Sequence, residues 1–167
     1  HKTGESVLWL LANNDMTIEN LKNEAVKQGI SEKRLVFAPY VNLSEHLNRI
    51  KHADLFLDTR PYNAHTTSSD ALRMGLPVLT CIGKSFPSRV AASILNSLSL
   101  TELITETEED YESLAIELAT NPIKLKSIKD KLIHNLSSAP LFDTPLFARN
   151  LESAFKTMYE KHQNGIK

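Results

Sequence analysis

The 167-residue chain of 18.7 kDa is 41% hydrophobic and 23% charged, the composition of one globular domain rather than of a disordered tract or a linker. Its 19 Lys and Arg against 20 Asp and Glu leave a net charge of -1, which supplies no overall attraction to nucleic acid or to anionic lipid. A single cysteine, Cys81, excludes an intrachain disulfide framework and a cysteine-rich zinc site and suits a reducing compartment, the cytoplasm by default; the longest apolar runs, such as Val7 to Ala12, fall far below the ~20 residues that cross a bilayer, so no membrane partner is expected.

The chain opens at His1, without Met, and reaches the strand-like run Val7 to Leu11 almost at once, so it reads as a piece of something longer. After Asn13-Asn14-Asp15, Thr17 is placed to cap a helix carrying Leu21 and Ala25 at i, i+4, and Gly29 stops it. Leu35 to Ala38 reads as a buried strand ended by Pro39, with Leu43, Leu47 and Ile50 marking one face of the helix that follows. Asp54 to Asp58 is a third strand, Thr66 to Met74 a helix closed by Gly75-Leu76-Pro77, and Val78 to Cys81 a fourth strand. Pro87 to Leu98 has helical spacing, Glu102 to Ile104 is a short fifth strand, and from Glu108 onward the pattern is wholly helical, with Leu146, Leu151, Phe155 and Met158 as the last stripe. Strands joined by helices through short loops predict a Rossmann-like α/β layer, a parallel sheet with helices on both faces and a ligand at the carboxyl ends of the strands. We place the layer at residues 5–138 and a C-terminal helical tail, packing on it, at 139–167.

Gly83-Lys84-Ser85 follows a strand, but a phosphate-binding P-loop needs a glycine five residues earlier, where Val78 stands inside the strand. The five glycines form no G-x-G-x-x-G, and the six histidines form no H-x-x-x-H, so neither a dinucleotide fold nor a metal centre is expected. No D-x-D occurs, and Asp54 and Asp58, four apart on the expected strand, fall on one face without gripping a cation.

The informative segment is Asp58 to Asp70, the loop from the third strand into its helix. A histidine followed by Thr66, Thr67, Ser68 and Ser69 at a helix start brings together free backbone amides, the positive end of the helix dipole and hydroxyls, which suits a phosphate. The competing reading is that Thr67 merely caps the helix and Asp70, three residues on, closes a capping box. One crossover earlier, His46 and Arg49 lie a turn apart, where an imidazole can stack on a base and a guanidinium can bond a ring carbonyl; the same pair also fits a solvated helix face.

Together, Tyr40-Val41, Glu45-His46, Leu57-Asp58-Thr59, Asn63-Ala64-His65-Thr66-Thr67, Asp70, Ser88 to Ser93 and Ser137 to Asp143 resemble the C-terminal half of the O-linked N-acetylglucosamine transferase family, from about Ser6 to Tyr159. The resemblance implies a GT-B fold, two Rossmann-like halves with the nucleotide sugar between them, of which this chain is the second; tetratricopeptide repeats usually precede the first. It further implies that His65, Thr66 and Thr67 meet the pyrophosphate of a UDP-sugar donor, Asp70 the ribose hydroxyls, Val41 the uracil through its backbone, and His46 and Arg49 the uracil by stacking and bonding. Leu43 stands where the family often has a lysine and Tyr62 where some members have a cysteine.

The function expected on these grounds is donor binding in an inverting, metal-independent protein O-glycosyltransferase that moves N-acetylglucosamine or a related hexose to a Ser or Thr hydroxyl, without a cofactor. No catalytic base is expected in this half; His65, Thr66 and Thr67 stabilise the leaving pyrophosphate. The alternatives are half of a nucleotide-sugar epimerase, half of a transferase with a small acceptor, or a non-catalytic nucleotide-binding module.

Overall fold

A computed structural model describes residues 2–12 and 14–165; His1 among the histidines, Asn13 of the Asn13-Asn14-Asp15 run, and Ile166 and Lys167 of the expected tail lie outside the described residues. The strand β1 (Leu8–Leu11) leads into α1 (Asp15–Lys27). The cap of α1 is Asn14 rather than Thr17: the Asn14 side-chain oxygen accepts from the Thr17 amide at 2.8 Å, which makes Thr17 the third helical residue. Asn is at least as good a cap as Thr, and its placement three residues before a free amide decides the matter. Gly29 ends this segment at φ +73, a left-handed conformation that costs glycine nothing.

Strand β2 (Leu35–Ala38) pairs in parallel with β1, Leu8 opposite Leu35 through Leu11 opposite Ala38. It feeds α2 (Leu43–Ile50), capped by the Asn42 side chain accepting from the Glu45 amide. Leu43 does not share the packed face expected for it; as the first helical residue it is 64% exposed, while Ile50 packs against the core. The third strand is shorter than its apolar run, with β3 limited to Phe56–Leu57. Asp54 has left it for an ion pair with Lys129 at 2.8 Å, so Asp54 and Asp58 do not share a strand face.

From β3 the chain passes through a loop into α3 (Thr66–Arg73), turns at Gly75 (φ +80), and enters β4 (Val78–Cys81), every residue of which is buried. β4 lies between β3 and β5 (Ile104–Thr105), parallel to both, giving the order β3-β4-β5; the hydrogen-bonded ladder of β1 and β2 is separate. Between β4 and β5 a 3-10 turn at Phe86–Ser88 precedes α4 (Val90–Ser97), so this helix begins three residues after Pro87. A second 3-10 turn at Thr101–Leu103 replaces most of the expected fifth strand.

The helices α5 (Glu108–Thr120) and α6 (Pro122–Leu136) follow, with Pro122 at the first turn of α6, where its missing N–H is no loss. Leu72, Leu76, Val78, Leu95, Leu98, Leu103, Leu118 and Leu132 form one core, and Leu141 and Phe142, in a 3-10 turn at Pro140–Phe142, seat against it. The final helix, α7 (Thr144–Gln163), has no buried residue, and its expected apolar stripe leaves Leu151, Phe155 and Met158 exposed. Among the described residues no helix is long and apolar enough to cross a membrane.

Candidate functional site

The loop joining β3 to α3 is built around one carboxylate. Asp58, 4% exposed at the end of β3, accepts through Oδ1 from the Thr59 amide at 2.9 Å and the Ala64 amide at 2.7 Å, and through Oδ2 from the Thr80 hydroxyl at 2.6 Å. Burial pushes its carboxyl above the usual carboxylate range, against the pull of those three bonds and of the nearby His65. Its main-chain oxygen accepts from the Tyr111 hydroxyl on α5 at 2.9 Å, and Tyr111, half-buried and facing the charge of Asp58, is pushed up to about 12.

Asn63 completes the loop. Its side-chain amide donates to the Thr59 carbonyl at 2.8 Å and its backbone amide to the Pro87 carbonyl at 3.0 Å, which ties the loop to the turn before α4. The Pro87 carbonyl also lies 3.4 Å from His65 Nε2. The His65 ring stacks on Tyr62 at 4.9 Å and meets Phe86 edge-on at 6.2 Å.

This loop delivers α3 with its first turn open. His65 is the N-cap and makes no side-chain cap bond, and the first helical bond runs from the Ser69 amide to the His65 carbonyl. The amides of Thr66, Thr67 and Ser68 therefore have no partner among the described residues. The capping-box reading fails here: Thr67 is the second residue of the helix rather than its cap, and Ser68, not Asp70, occupies the third position, its hydroxyl turned back to the carbonyls of Ala64 and His65. Thr66 and Thr67 are exposed, and neither hydroxyl is bonded to the described protein. Both line a cleft of about 520 Å³ shared with Asp58, Thr59, Tyr62 and His65. Asp70 lies one turn along the helix from Thr66, half-buried, its carboxylate without a hydrogen bond among the described residues.

The second group follows β2. Val41 precedes the Asn42 cap of α2, and His46 and Arg49 sit together on that helix, with Arg49 Nη2 3.4 Å from His46 Nδ1. Arg49 is partly committed: its Nη1 donates to the Pro39 carbonyl at 2.7 Å, and its guanidinium lies 5.9 Å from the centre of the Trp9 ring. α2 and α3 pack on one another, and each leaves the carboxyl end of a parallel strand, the edge where open α/β sheets take ligands. Among the described residues no three His, Cys, Asp or Glu side chains gather as a metal site.

The sequence marked His65, Thr66 and Thr67 because helix-start chemistry is local. It assigned no role to Asp58, Asn63, Tyr111 or Phe86. Beyond its place in the Leu57-Asp58-Thr59 motif, Asp58 carried a physical signal, an acid closing the apolar run Leu55-Phe56-Leu57, since an acid that leaves a buried strand needs partners.

Parallel strands alternating with helices, with an open helix start at the carboxyl edge, define a Rossmann-like α/β domain. The same architecture occurs in the Thermobaculum terrenum O-GlcNAc transferase mutant K341M, which superposes with a TM-score of 0.85 at 30% identity over 92% of this chain and 30% of that one. The model of glycosyl transferase family 41 matches residues 1–151. Relatives include the UDP-N-acetylglucosamine–peptide N-acetylglucosaminyltransferase of Caenorhabditis elegans, 33% identical over 97% of this chain and 14% of its own length, and the probable enzyme SEC of Arabidopsis thaliana, 34% identical over 96% and 16%. The chain belongs to glycosyl transferase family 41, a family of GT-B enzymes, and spans about a sixth or less of those two relatives.

Proposed function

We propose that this chain is the donor-binding half of an inverting protein O-glycosyltransferase of the cytoplasm, which takes a UDP-sugar and passes N-acetylglucosamine or a related hexose to a Ser or Thr hydroxyl of a protein acceptor. The observation that carries this reading is the open start of α3: the unpartnered amides and the exposed hydroxyls of Thr66 and Thr67 line one cleft beside His65. A diphosphate supplies acceptors for all of them, and the helix dipole favours its charge. A second cleft, of about 470 Å³ at β5 and α5, is lined by Glu102, Glu106, Asp110 and Glu117 with no basic lining residue, and suits a diphosphate less well. The names of the relatives, UDP-N-acetylglucosamine–peptide N-acetylglucosaminyltransferases, support the donor and acceptor classes.

In the transfer the acceptor hydroxyl oxygen bonds to the anomeric carbon and gives up its proton, while the bond from that carbon to the distal phosphate oxygen breaks and its electron pair stays on UDP. The amides and hydroxyls of Thr66 and Thr67, with His65, meet that growing charge, so this reading needs no cation. Val41, His46 and Arg49 hold the uracil, and Asp70 accepts from the ribose hydroxyls. The acceptor site, the base that takes the hydroxyl proton and any tetratricopeptide repeats belong to sequence outside this chain.

Calorimetric titration with UDP and with uridine tests the assignment. Thr66→Ala and Thr67→Ala are each expected to cost ~1.5–3 kcal/mol of UDP affinity, roughly 10- to 150-fold, as bonds to a charged group do. Uridine binding is expected to stay unchanged, as is UDP binding in EDTA. Equal losses for uridine and UDP, or abolition of UDP binding by chelation with recovery on Mn²⁺, would overturn it.

A further inference from the structure

The open start of α3 lacks the feature that ordinarily fixes a helix entry, a capping side chain, since His65 makes no such bond. Its direction must be set elsewhere. The loop before it is closed by Asp58 Oδ1, which accepts from the Thr59 amide at 2.9 Å and from the Ala64 amide at 2.7 Å, a span of six residues drawn onto one oxygen. Ala64 is the residue immediately before the cap, and its carbonyl in turn accepts from the Ser68 hydroxyl at 3.0 Å. Asp58 itself cannot swing: Oδ2 is taken by Thr80 on β4 at 2.6 Å, and the main-chain oxygen by Tyr111 at 2.9 Å.

We propose that Asp58 is the positioning residue of the anion site, its carboxylate fixing from the end of β3 the direction in which Thr66 and Thr67 present their amides to the cleft. The identity of the ligand rests on the UDP-sugar reading; the positioning role does not. Asp58 touches no ligand in this scheme and acts through the Ala64 amide alone. Thr80 is the buttress, since it holds the oxygen that does not reach the loop.

The test compares Asp58→Ala, Asp58→Asn and Thr80→Val with the parent chain, after circular dichroism and thermal melts establish folding. Asp58→Ala is expected to lower UDP affinity at least tenfold while uridine affinity stays within twofold, a split that general destabilisation does not produce. Asp58→Asn is expected to return UDP to within threefold of the parent, because an amide oxygen also accepts from Thr59 and Ala64. Thr80→Val frees Oδ2 and is expected to lower the ratio of UDP to uridine affinity in the same direction as Asp58→Ala but by less; an unchanged ratio would remove Thr80 from the positioning scheme. Equal losses for UDP and uridine in Asp58→Ala, or no loss, would overturn the proposal.

Amide spectra of the ligand-free chain keep the two readings separable. Asp58→Ala should shift the Thr66, Thr67 and Ser68 resonances and speed hydrogen exchange at the Ala64 amide, with recovery in Asp58→Asn. If the parent failed to bind UDP while these shifts appeared, the donor reading would fall and the positioning role stand; unshifted resonances would sink the positioning role.

Discussion

Tyr111 and Asp58 share one buried contact, and both titrate away from their ordinary ranges for a common reason, the cost of charge away from water. For Tyr111 the folded state keeps its proton up to about 12, whereas an unfolded tyrosine loses it near ~10. Between those values the unfolded chain binds fewer protons, so stability is whole below the lower one and falls as pH rises to the upper. Spectroscopic titration of the phenolates should therefore show one of the four tyrosines ionising late or together with alkaline unfolding, and Tyr111→Phe should remove that step. All four ionising together near the ordinary value, with Tyr111→Phe indistinguishable, would refute it. Asp58 follows the same sign: its raised carboxyl favours the folded state at acid pH and loses that advantage as pH climbs through its folded value, so the ionised form adds no stability of its own. A positioning role accounts for a buried acid that its own titration does not reward. This was out of reach for sequence reasoning, because Thr59 and Ala64 meet on one oxygen only after the loop has folded back. The signal at Thr66 and Thr67, by contrast, needs nothing beyond neighbouring residues.

Element positions were legible wherever periodicity and a stop residue agreed, as at Leu35–Ala38 before Pro39, Val78–Cys81 after Pro77, and α3 ahead of Gly75. They were less so where an element depends on partners far along the chain. β3 keeps two residues of its five-residue run, since only Phe56 and Leu57 find partners on β4 and Asp54 instead faces Lys129 on α6, and the fifth strand is displaced by a 3-10 turn. Caps were misread for a different reason, since several small polar residues crowd each helix start and a one-dimensional pattern does not say which one turns toward the amides. α1 separates the candidates. Asn14→Ala deletes the acceptor that meets the Thr17 amide and should cost ~1 kcal/mol of stability. Thr17→Ala changes a residue inside the helix and should be neutral or slightly stabilising, because alanine is the better helix former. Urea denaturation of the two variants decides between them, and the reverse ranking would restore Thr17 as the cap.

At the scale of the whole chain, burial is distributed unevenly, and the C-terminal segment contains the sharpest step. The turn at Pro140–Phe142 places Leu141 and Phe142 against the core that holds Leu72, Leu95 and Leu132, and Ala139 is itself buried. The Arg73 guanidinium of α3 lies 6.0 Å from the centre of the Phe142 ring, so this turn also braces the far end of the helix whose start forms the anion site. Beyond it α7 runs twenty residues with none buried and with Phe147, Phe155, Met158 and Tyr159 all more than half exposed. Two truncations placed five residues apart should therefore behave very differently. Ending the chain before Thr144 removes no buried side chain and one partly buried one, Leu146, so the thermal midpoint should move by only a few degrees, the shift of a loss of ~1 kcal/mol or less. Ending it before Ala139 removes Leu141 and Phe142 from the core, where each deletion of this kind costs ~2–5 kcal/mol, and should leave little folded protein at 37 °C. UDP affinity, read on the same samples at low temperature, should follow the folded fraction rather than the presence of α7. A large destabilisation from the first truncation, or none from the second, would mean that the core boundary lies elsewhere in the tail.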